Sequence, residues 1–507
     1  MNSLPPLLPQ PEEMRLSGGE IALASVTSVR AIPRNPETRR IALEISREIA
    51  RATGGPPLLS AGAEGEAAGD AGAVLTLVVD PGERTLDDEG YRLSVGPKEI
   101  RLVGTTPAGL FYASRTLLQL LPLEPAGDAA LPCLEILDRP RFAWRGLHLD
   151  VSRHFFPVER IQQLIESLAL HKLNRFHWHL TDDQGWRIEI PRHPRLAEIG
   201  GRRVEGDGAL HGGCYTREEI RAVVTHAAER QVTVVPEIET PGHALAALAA
   251  YPELSCTGGP FRVPHTWGIF EDVFCAGNEQ TFRLLGDVFA EVASLFPGPY
   301  IHVGGDECPT TRWEACPACR RRITEQGFAQ ARQLQGYFIR RIAALPGTAG
   351  RRLIGWDEIL MGAPPRETVV MSWRGSEGGR AAARAGHEVI MCPAETCYLD
   401  SYQGPRDLEP EAFPRDVPLA AVYGFDPLPA GLTPEEGSRI LGAQGNIWTE
   451  RIPTWSHLEY MAFPRACALA ERLWSPAARC EWQSFRRRLG GHLLRLEARG
   501  VRYRPLD

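Results

Sequence analysis

The pattern that most constrains the fold of this chain begins at Arg139, where short apolar segments start to alternate with longer amphipathic stretches. The amphipathic stretches carry apolar residues at helical spacing, as Ile161, Leu164, Ile165 and Leu168 illustrate. Eight strand-then-helix units in one domain are typical of a TIM barrel, the (β/α)8 fold of the α/β class. The eight predicted strands are residues 146–151, 175–180, 232–238, 300–304, 353–356, 369–373, 388–392 and 441–448.

The segment before this pattern predicts a second, smaller domain. Isoleucines at helical spacing indicate a helix over 36–52 that ends at Gly54-Gly55, and Thr106 caps a second helix that begins at Pro107. Strands are predicted at 74–79, 91–95 and 99–103, and the Gly/Ala/Glu-rich residues 61–72 are predicted to be a loop. We therefore predict an accessory α+β domain over residues 1–138. The catalytic barrel would occupy 139–507, with closing helices at 457–474 and 481–499.

The composition of the chain indicates which kinds of binding partner are not expected. The chain has 507 residues, a net charge of −7 and no basic tract, so nucleic acid is not an expected partner. No apolar run reaches the length of a membrane span, so no membrane association is expected either. Residues 1–9 lack the charged and apolar regions of a signal peptide, which predicts a cytoplasmic protein, although a trimmed secreted or periplasmic form would look the same.

Residues 300–307 form a predicted strand that ends in two glycines and two adjacent acids, Asp306 and Glu307. Neighbouring side chains of a continuing strand point to opposite faces, but Gly304 and Gly305 allow the backbone to leave the strand. In a TIM barrel the active site lies at the C-terminal ends of the strands. The other strand ends are also rich in polar or aromatic residues, namely Asp150, Arg153, residues 177–183, Glu237, Glu239, His243, residues 356–358, Trp373, Tyr398, Asp400, Trp448 and Glu450.

Carboxylates surrounded by tryptophans, without a metal-binding motif, favour carbohydrate chemistry. Glycoside cleavage usually needs two carboxyl groups on either side of the scissile bond. Asp306 and Glu307 are adjacent in sequence, so they cannot easily lie on opposite sides of a sugar ring. This argues for a nucleophile that belongs to the substrate.

Several motifs in a fixed order resemble glycoside hydrolase family 20, the β-N-acetylhexosaminidases. The central one is His302-Val303-Gly304-Gly305-Asp306-Glu307. The resemblance covers nearly all of residues 140–475 and, more weakly, the N-terminal segment, which is similar to the family's accessory α/β domain. The other matching motifs are residues 145–154, 172–179, 182–187, 236–243, 355–358 and 398–400.

The resemblance implies retaining, exo-acting removal of terminal β-linked GlcNAc or GalNAc from oligosaccharides or glycoconjugates, through an oxazolinium intermediate and without a cofactor. Glu307 would be the general acid and then the base, and Asp306 would hold the 2-acetamido group. Asp183, Glu239 and His243 would surround Glu307; Glu239 replaces the aspartate of many members. The implied sugar-binding residues are Arg153, Trp356, Trp373, Tyr398, Asp400, Trp448 and Glu450.

Two alternatives stay open at this point. His177 and His179 point to one face of a strand and could bind a metal, as in barrel metallohydrolases; chelator sensitivity would favour that hypothesis. A non-catalytic sugar-binding protein could have the same fold, but it would not need to retain Asp306 and Glu307. The preference for GlcNAc or GalNAc, the natural glycan and the oligomeric state are left open.

The eleven cysteines do not form a disulfide scaffold in a chain of this length. Cys316 and Cys319 form a CxxC pair, but no fourth ligand for a zinc knuckle is evident nearby, so free thiols or a loop disulfide are favoured over a metal. Cys256 and Cys275 flank a loop that is often disulfide-bonded in secreted relatives, and the sequence leaves that bond open.

Overall fold

A computed structural model describes residues 4–60 and 72–506 of the chain. The loop predicted at 61–72 therefore lies outside the described residues, apart from Gly72. Among the helices of the described ranges, none combines the length and the hydropathy that crossing a membrane requires.

The N-terminal region contains a seven-stranded mixed sheet with two helices packed on it. The helices are Pro36–Thr53, which Asn35 caps and Gly54 ends in the left-handed region, and Pro107–Leu120, which Thr106 caps. In spatial order the strands are Glu13–Ala22, Ala130–Asp138, Tyr91–Val95, Glu99–Gly104, Ala73–Val79, Val26–Ile32 and Leu59–Ser60.

The sequence analysis missed four of these strands. Glu13–Ala22 lies at the sheet edge, is largely exposed and is interrupted at Gly18-Gly19, so it has little of the alternating apolar pattern that predicts a strand. The other three missed strands are Val26–Ile32, Leu59–Ser60 and Ala130–Asp138.

The second region is a closed barrel of eight parallel strands, which confirms the predicted TIM barrel. Each predicted strand is present, with ends within two residues of those expected. In chain order, barrel strands 1 to 8 are Trp144–Asp150, Arg175–His179, Thr233–Thr240, Tyr300–Gly304, Arg352–Trp356, Val369–Ser372, Val389–Met391 and Ile440–Ile447.

The outer helices are less regular than the strands. Strand 5 is followed only by the 3-10 helix Asp357–Gly362, and strand 7 only by helices of six residues or fewer. The helical segment predicted at 457–474 is divided at Phe463-Pro464, because proline cannot donate a backbone hydrogen bond. The main barrel helices are Val158–Leu170, Arg217–Ala228, Glu279–Leu295, Gln333–Ala343, Ser376–Arg384, Trp455–Ala462, Arg465–Trp474 and Trp482–Ala498.

One partly buried and one fully buried ion pair join the N-terminal region to the end of the barrel at which the strands begin. The Arg145 guanidinium donates to both oxygens of Glu89, at 2.8 and 2.9 Å. Lys172 Nζ lies 2.8 Å from Asp138 Oδ2, and Trp474 Nε1 donates to the same carboxylate. The small domain thus contacts the end of the barrel opposite the residues that follow the strands.

Candidate active site

The end of barrel strand 4 delivers both predicted acids to the same end of the barrel. Gly304 and Gly305 have φ of +70° and +96°, and Glu307 itself has φ of +43°. A Cβ atom at position 304 would collide with the Glu239 carboxylate, so only glycine fits there. The chain leaves the strand at these residues and places Asp306 almost fully buried, while the Glu307 side chain keeps 35% of its surface exposed.

His243 lies between the two acids and a second carboxylate pair. Its Nε2 is 3.7 Å from Asp306 Oδ2 and 3.6 Å from Glu307 Oε2. Its Nδ1 is 3.0 Å from Asp183 Oδ2 and 3.3 Å from Asp182 Oδ1. Burial alone would lower the pKa of His243, but Asp182, Asp183 and Glu307 outweigh it and hold the pKa well above its ordinary value.

Asp306 is a buried carboxylate that is incompletely paired. Burial, followed by repulsion from Glu237 and Glu307 against the attraction of His243, raises the pKa of Asp306 to about 6. Within the described residues, Asp306 Oδ1 is buried and has no hydrogen-bond partner. Buried polar atoms are normally paired, so this oxygen is ready to accept a hydrogen bond from a bound molecule.

Aromatic rings form the floor and one wall beside these acids. Trp373 and Tyr398 are stacked with centroids 6.1 Å apart, and Tyr398 lies 6.4 Å from Trp448. Trp356 is 5.9 Å from Trp448 but is fully buried, and its Nε1 donates to Glu237 Oε1 at 2.9 Å. The four predicted aromatic residues thus meet at one place, with Trp356 as the floor.

Trp373 is itself oriented by a carboxyl group that the sequence analysis did not assign. Its Nε1 donates to Glu358 Oε2 at 3.0 Å. Burial, then repulsion from Asp306 and Asp357, raises the pKa of Glu358 to about 8. Glu358 belongs to the motif 355–358 that resembles the family, and this was the sequence signal that could have identified it as a site residue.

Arg153 and two further carboxyl groups lie at another side of the site. The Arg153 guanidinium is 2.8 Å from Asp182 Oδ2 and 3.8 Å from Glu450 Oε1, and its Cζ lies 5.2 Å from the Trp448 ring centroid. Burial, then repulsion from Glu450, raises the pKa of Asp400 to about 7. In the described part of the chain, Asp400 Oδ1 is another buried oxygen without a partner.

The Glu239 carboxylate lies against the glycine that ends barrel strand 4. It was expected to surround Glu307 together with Asp183 and His243. In the structure its carboxylate packs against Gly304, and both of its oxygens are without hydrogen-bond partners among the described residues. Burial, then repulsion from Asp306, raises the pKa of Glu239 well above its ordinary value.

His177 and His179 surround Glu237, beneath the aromatic floor, rather than the proposed acid Glu307. His179 Nδ1 hydrogen-bonds Glu237 Oε2, and His177 Nε2 lies 3.0 Å from the same oxygen. All three side chains are fully buried. A catalytic metal needs a coordination position open to the substrate, and this buried cluster offers none. The geometry therefore favours hydrogen-bonded support over the metallohydrolase alternative.

Asp182 connects this buried cluster with the site, a role that the sequence analysis did not predict. Asp182 Oδ2 lies 2.9 Å from His179 Nε2, and Asp182 also contacts Arg153 and His243. Burial would raise the pKa of Asp182, but Arg153 and His243 hold it well below the ordinary value. Its place at the polar strand end 177–183 and in the matched motif 182–187 was the sequence signal for it.

Two family models match this chain, and together they cover most of it. The model described as glycosyl hydrolase family 20, catalytic domain, matches residues 142–477, and the model for domain 2 of the same family matches residues 4–139.

Relatives and solved structures agree with these models. A beta-hexosaminidase of Porphyromonas gingivalis is 47% identical over 425 residues, which are 82% of this chain and 55% of that protein. A beta-hexosaminidase of Akkermansia muciniphila is 36% identical over 82% of this chain and 86% of its own length. A GH20 exo beta-N-acetylglucosaminidase from Vibrio harveyi, in complex with N-acetylglucosamine, has a TM-score of 0.86 and 33% identity, covering 99% of this chain and 78% of that one. A mutant Streptomyces plicatus beta-hexosaminidase with its product GlcNAc has a TM-score of 0.86 and 32% identity, covering 100% and 97%.

Proposed function

The chain belongs to glycosyl hydrolase family 20, and from this premise we propose that it is an exo-acting, retaining β-N-acetylhexosaminidase that uses the acetamido group of its substrate as the nucleophile. The barrel is the catalytic domain of a glycoside hydrolase. The proposed substrates are oligosaccharides or glycoconjugates that end in a β-linked N-acetylhexosamine.

The observation that carries the proposal is the unpartnered oxygen of Asp306. Oδ1 is buried and has no partner within the described residues. Burial raises the pKa of Tyr398 of the aromatic wall well above its ordinary value, and the Asp306 carboxylate is close enough to raise that pKa further. A 2-acetamido group offers one N–H donor, and a hydrogen bond to a charged carboxylate is stronger than one to a neutral acceptor. A hexose with a 2-hydroxyl group would also donate, but it has no carbonyl oxygen that could attack the anomeric carbon.

The position of His243 supports a nucleophile from the substrate. Asp306 Oδ2 and Glu307 Oε2 both lie within 3.7 Å of the same His243 nitrogen, so a single ring lies beside both carboxylates. A pair of acids in double displacement must stand on opposite sides of the scissile bond. With Glu307 assigned to proton transfer, Asp306 orients the acetamido group rather than attacking.

In the proposed reaction, Glu307 donates its proton to the departing glycosidic oxygen while the acetamido carbonyl oxygen attacks the anomeric carbon. The C–O bond to the leaving group breaks, and a bicyclic oxazolinium ion forms. Asp306 accepts the acetamido N–H and stabilises the positive charge. Glu307, now a carboxylate, takes a proton from water, which attacks the anomeric carbon and restores the acetamido group with retained configuration.

The surrounding side chains fit a single terminal sugar. Tyr398 is proposed to donate to the acetamido oxygen, and Trp373 and Trp448 to contact the acetyl methyl group and the sugar face. Arg153, Asp400 and Glu450 are proposed to bind the hydroxyls of the terminal ring. The buried Asp400 Oδ1, also unpartnered among the described residues, provides an acceptor for one of them.

The proposal is tested by comparing aryl β-GlcNAc, β-GalNAc and β-glucoside substrates with the wild type and with Asp306→Asn. We expect the β-glucoside to be nearly inert, and the substitution to lower kcat/KM on aryl β-GlcNAc on the order of 10²-fold, the scale of losing one transition-state hydrogen bond. Asp128→Asn, at an exposed position of the small domain, is the matched control. Comparable rates on β-GlcNAc and β-glucoside would contradict the proposal.

A further inference from the structure

Four cysteines meet although they lie in two separate connections between barrel strands. Cys256 and Cys275 belong to the loop after barrel strand 3, and Cys316 and Cys319 to the loop after strand 4. The four Sγ atoms lie within 4.8 Å of one another. The sequence analysis set a metal aside because Cys316 and Cys319 had no nearby partner pair; the barrel supplies that pair from the preceding loop.

Three of the six distances between the sulfur atoms are close to those around a tetrahedral metal ion, and the other three are no longer than 4.8 Å. Cys275 Sγ lies 3.5 Å from Cys319 Sγ and 3.8 Å from Cys316 Sγ, and Cys256 Sγ lies 3.8 Å from Cys319 Sγ. Zinc–thiolate bonds of about 2.3 Å in a tetrahedron place the sulfur atoms about 3.8 Å apart. A disulfide would require about 2.05 Å. We propose that Cys256, Cys275, Cys316 and Cys319 bind one zinc ion.

The chemistry of the group favours zinc. Four thiolates in tetrahedral arrangement select zinc, or iron in a sulfur site, over magnesium or calcium, which take oxygen ligands. Cys316 directly precedes the helix Pro317–Glu325, and Cys319 lies in its first turn, so the positive end of the helix dipole stabilises negative charge on these sulfurs. Four protein ligands leave no open position for a substrate, so the ion is structural and not catalytic.

The two loops are already held against each other around the cysteines. A side chain at Gly277 would collide with the backbone of Ala318. Trp313 Nε1 donates to the carbonyl of Phe274 at 2.9 Å. Cys275 and Cys319 are buried at 2% and 0% exposure. The sulfur atoms therefore converge within a packed interface, and a bound ion would cross-link the two loops.

The cross-link has a consequence for the neighbouring acids. Cys316 lies nine residues after Glu307, with the helix Thr311–Ala315 between them, and Cys256 lies thirteen residues after His243, with the helix Leu245–Ala250 between them. The ion would thus fix both connections to the residues that carry the proposed chemistry. It acts as a positioning element, and its presence can be tested independently of hydrolytic activity.

The first measurement is the metal content of the full chain purified without chelator. We expect one zinc per chain by inductively coupled plasma mass spectrometry, released when a mercurial reagent titrates the thiols. Cys275→Ser and Cys319→Ser should each lose the zinc and lower the Tm. Cys480→Ser, a partly buried cysteine at the C-terminal helices, should keep both unchanged.

A second measurement remains informative even if the serine variants fail to fold. The wild-type chain, stripped of zinc and reconstituted with Co²⁺, should show the intense visible absorption of tetrahedral cobalt and a sulfur-to-cobalt charge-transfer band. A folded chain that binds neither Zn²⁺ nor Co²⁺ with its thiols reduced would overturn the proposal. Disulfides among the four cysteines, seen as a lower intact mass, would overturn it as well. Iron in place of zinc would overturn the choice of metal.

Discussion

Glu237 and Asp306 are both buried carboxylates, the first within barrel strand 3 and the second just after the neighbouring strand 4, yet their surroundings are opposite. Glu237 Oε1 lies 2.7 Å from His302 Nδ1 and 2.9 Å from Trp356 Nε1, and Oε2 contacts His177 and His179. Burial raises the pKa of Glu237, but the histidines outweigh it and hold the pKa well below its ordinary value. Asp306 has one oxygen without a partner in the described part of the chain, and its pKa is raised to about 6.

The difference shows which buried carboxylate already has its hydrogen-bond partners and which one can still accept a hydrogen bond from a ligand. Glu237 already has partners at both oxygens, so a substrate could not add a hydrogen bond there. Its role is to support the aromatic floor of the site. An incompletely paired carboxylate such as Asp306 costs stability in the free protein and gains its partner on binding. The predictions below test this division.

The largest effect is expected for Glu307, the acid adjacent to Asp306. Glu307→Gln should lower kcat on disaccharides by roughly 10²–10⁴ because the departing oxygen loses its proton donor. The loss should be smaller for aryl glycosides whose leaving group needs no proton. Steady-state kinetics on both substrate types, with Glu314→Gln as an exposed control, measures the difference. Near-wild-type turnover of disaccharides would remove Glu307 from the mechanism.

Substitutions of Glu237 and of Asp306 should have different effects on the stability of the folded protein. Burial lowers the pKa of His179, but Glu237 and Asp182 raise it to about 10, and Glu237→Gln removes one of these two anions from the buried ring. Removing one partner of a buried pair costs about 3–5 kcal/mol. Asp306→Asn removes an incompletely paired charge, so it should leave the Tm at pH 7 unchanged or raised. Thermal unfolding of both variants is the measurement, and equal destabilisation would abolish the distinction.

The pH dependence should follow Asp306. Because its pKa in the free enzyme is about 6, above the ordinary 3.8, kcat/KM on aryl β-GlcNAc should fall as pH drops below about 6 and the acceptor becomes protonated. The contribution of this group to folding stability has the opposite sign: it is present at low pH and is lost as pH rises through 6. Asp306→Asn should remove the Asp306 contribution from both profiles. If kcat/KM of that variant still fell in the same way at low pH, another group would be responsible for the fall.

The smallest effect concerns the aromatic wall. Trp448→Ala should reduce kcat/KM by at least about 10-fold, because the ring helps to hold the acetamido group in position for attack. Trp482, which stacks on Phe485 with centroids 5.9 Å apart, is the control, and Trp482→Ala should have much less effect. Equal losses of kcat/KM in the two variants would show that Trp448 does not have the proposed role in holding the substrate.

The sequence predicted the barrel well because its strands are short, apolar and evenly interrupted. It did not predict the irregular helices after strands 5 and 7, where short turns replace the expected helical segments. The sequence analysis missed the edge strand Glu13–Ala22 for a related reason. Its exposed residues and Gly18-Gly19 leave it without an alternating apolar pattern.

At the site, the sequence predicted which residues meet but not all of their contacts. The support around Glu237 depends on strand register, which aligns Glu237 with His179 on one side and His302 on the other. The cysteine group depends on two loops that barrel closure brings together. Neither arrangement leaves a local signal, because the partners are distant in sequence. The catalytic and binding roles of the assigned residues stay predictions.

The most direct test of the central claim varies the nucleophile in the substrate itself. We would measure kcat/KM of the wild type on aryl β-glycosides that carry N-acetyl, N-fluoroacetyl, N-difluoroacetyl and N-trifluoroacetyl groups. Each fluorine withdraws electrons from the carbonyl oxygen, so the account predicts a steep decline across the series. A flat response, together with a covalent adduct on an Asp or Glu after incubation with a 2-fluoro glycoside, would contradict attack by the acetamido group.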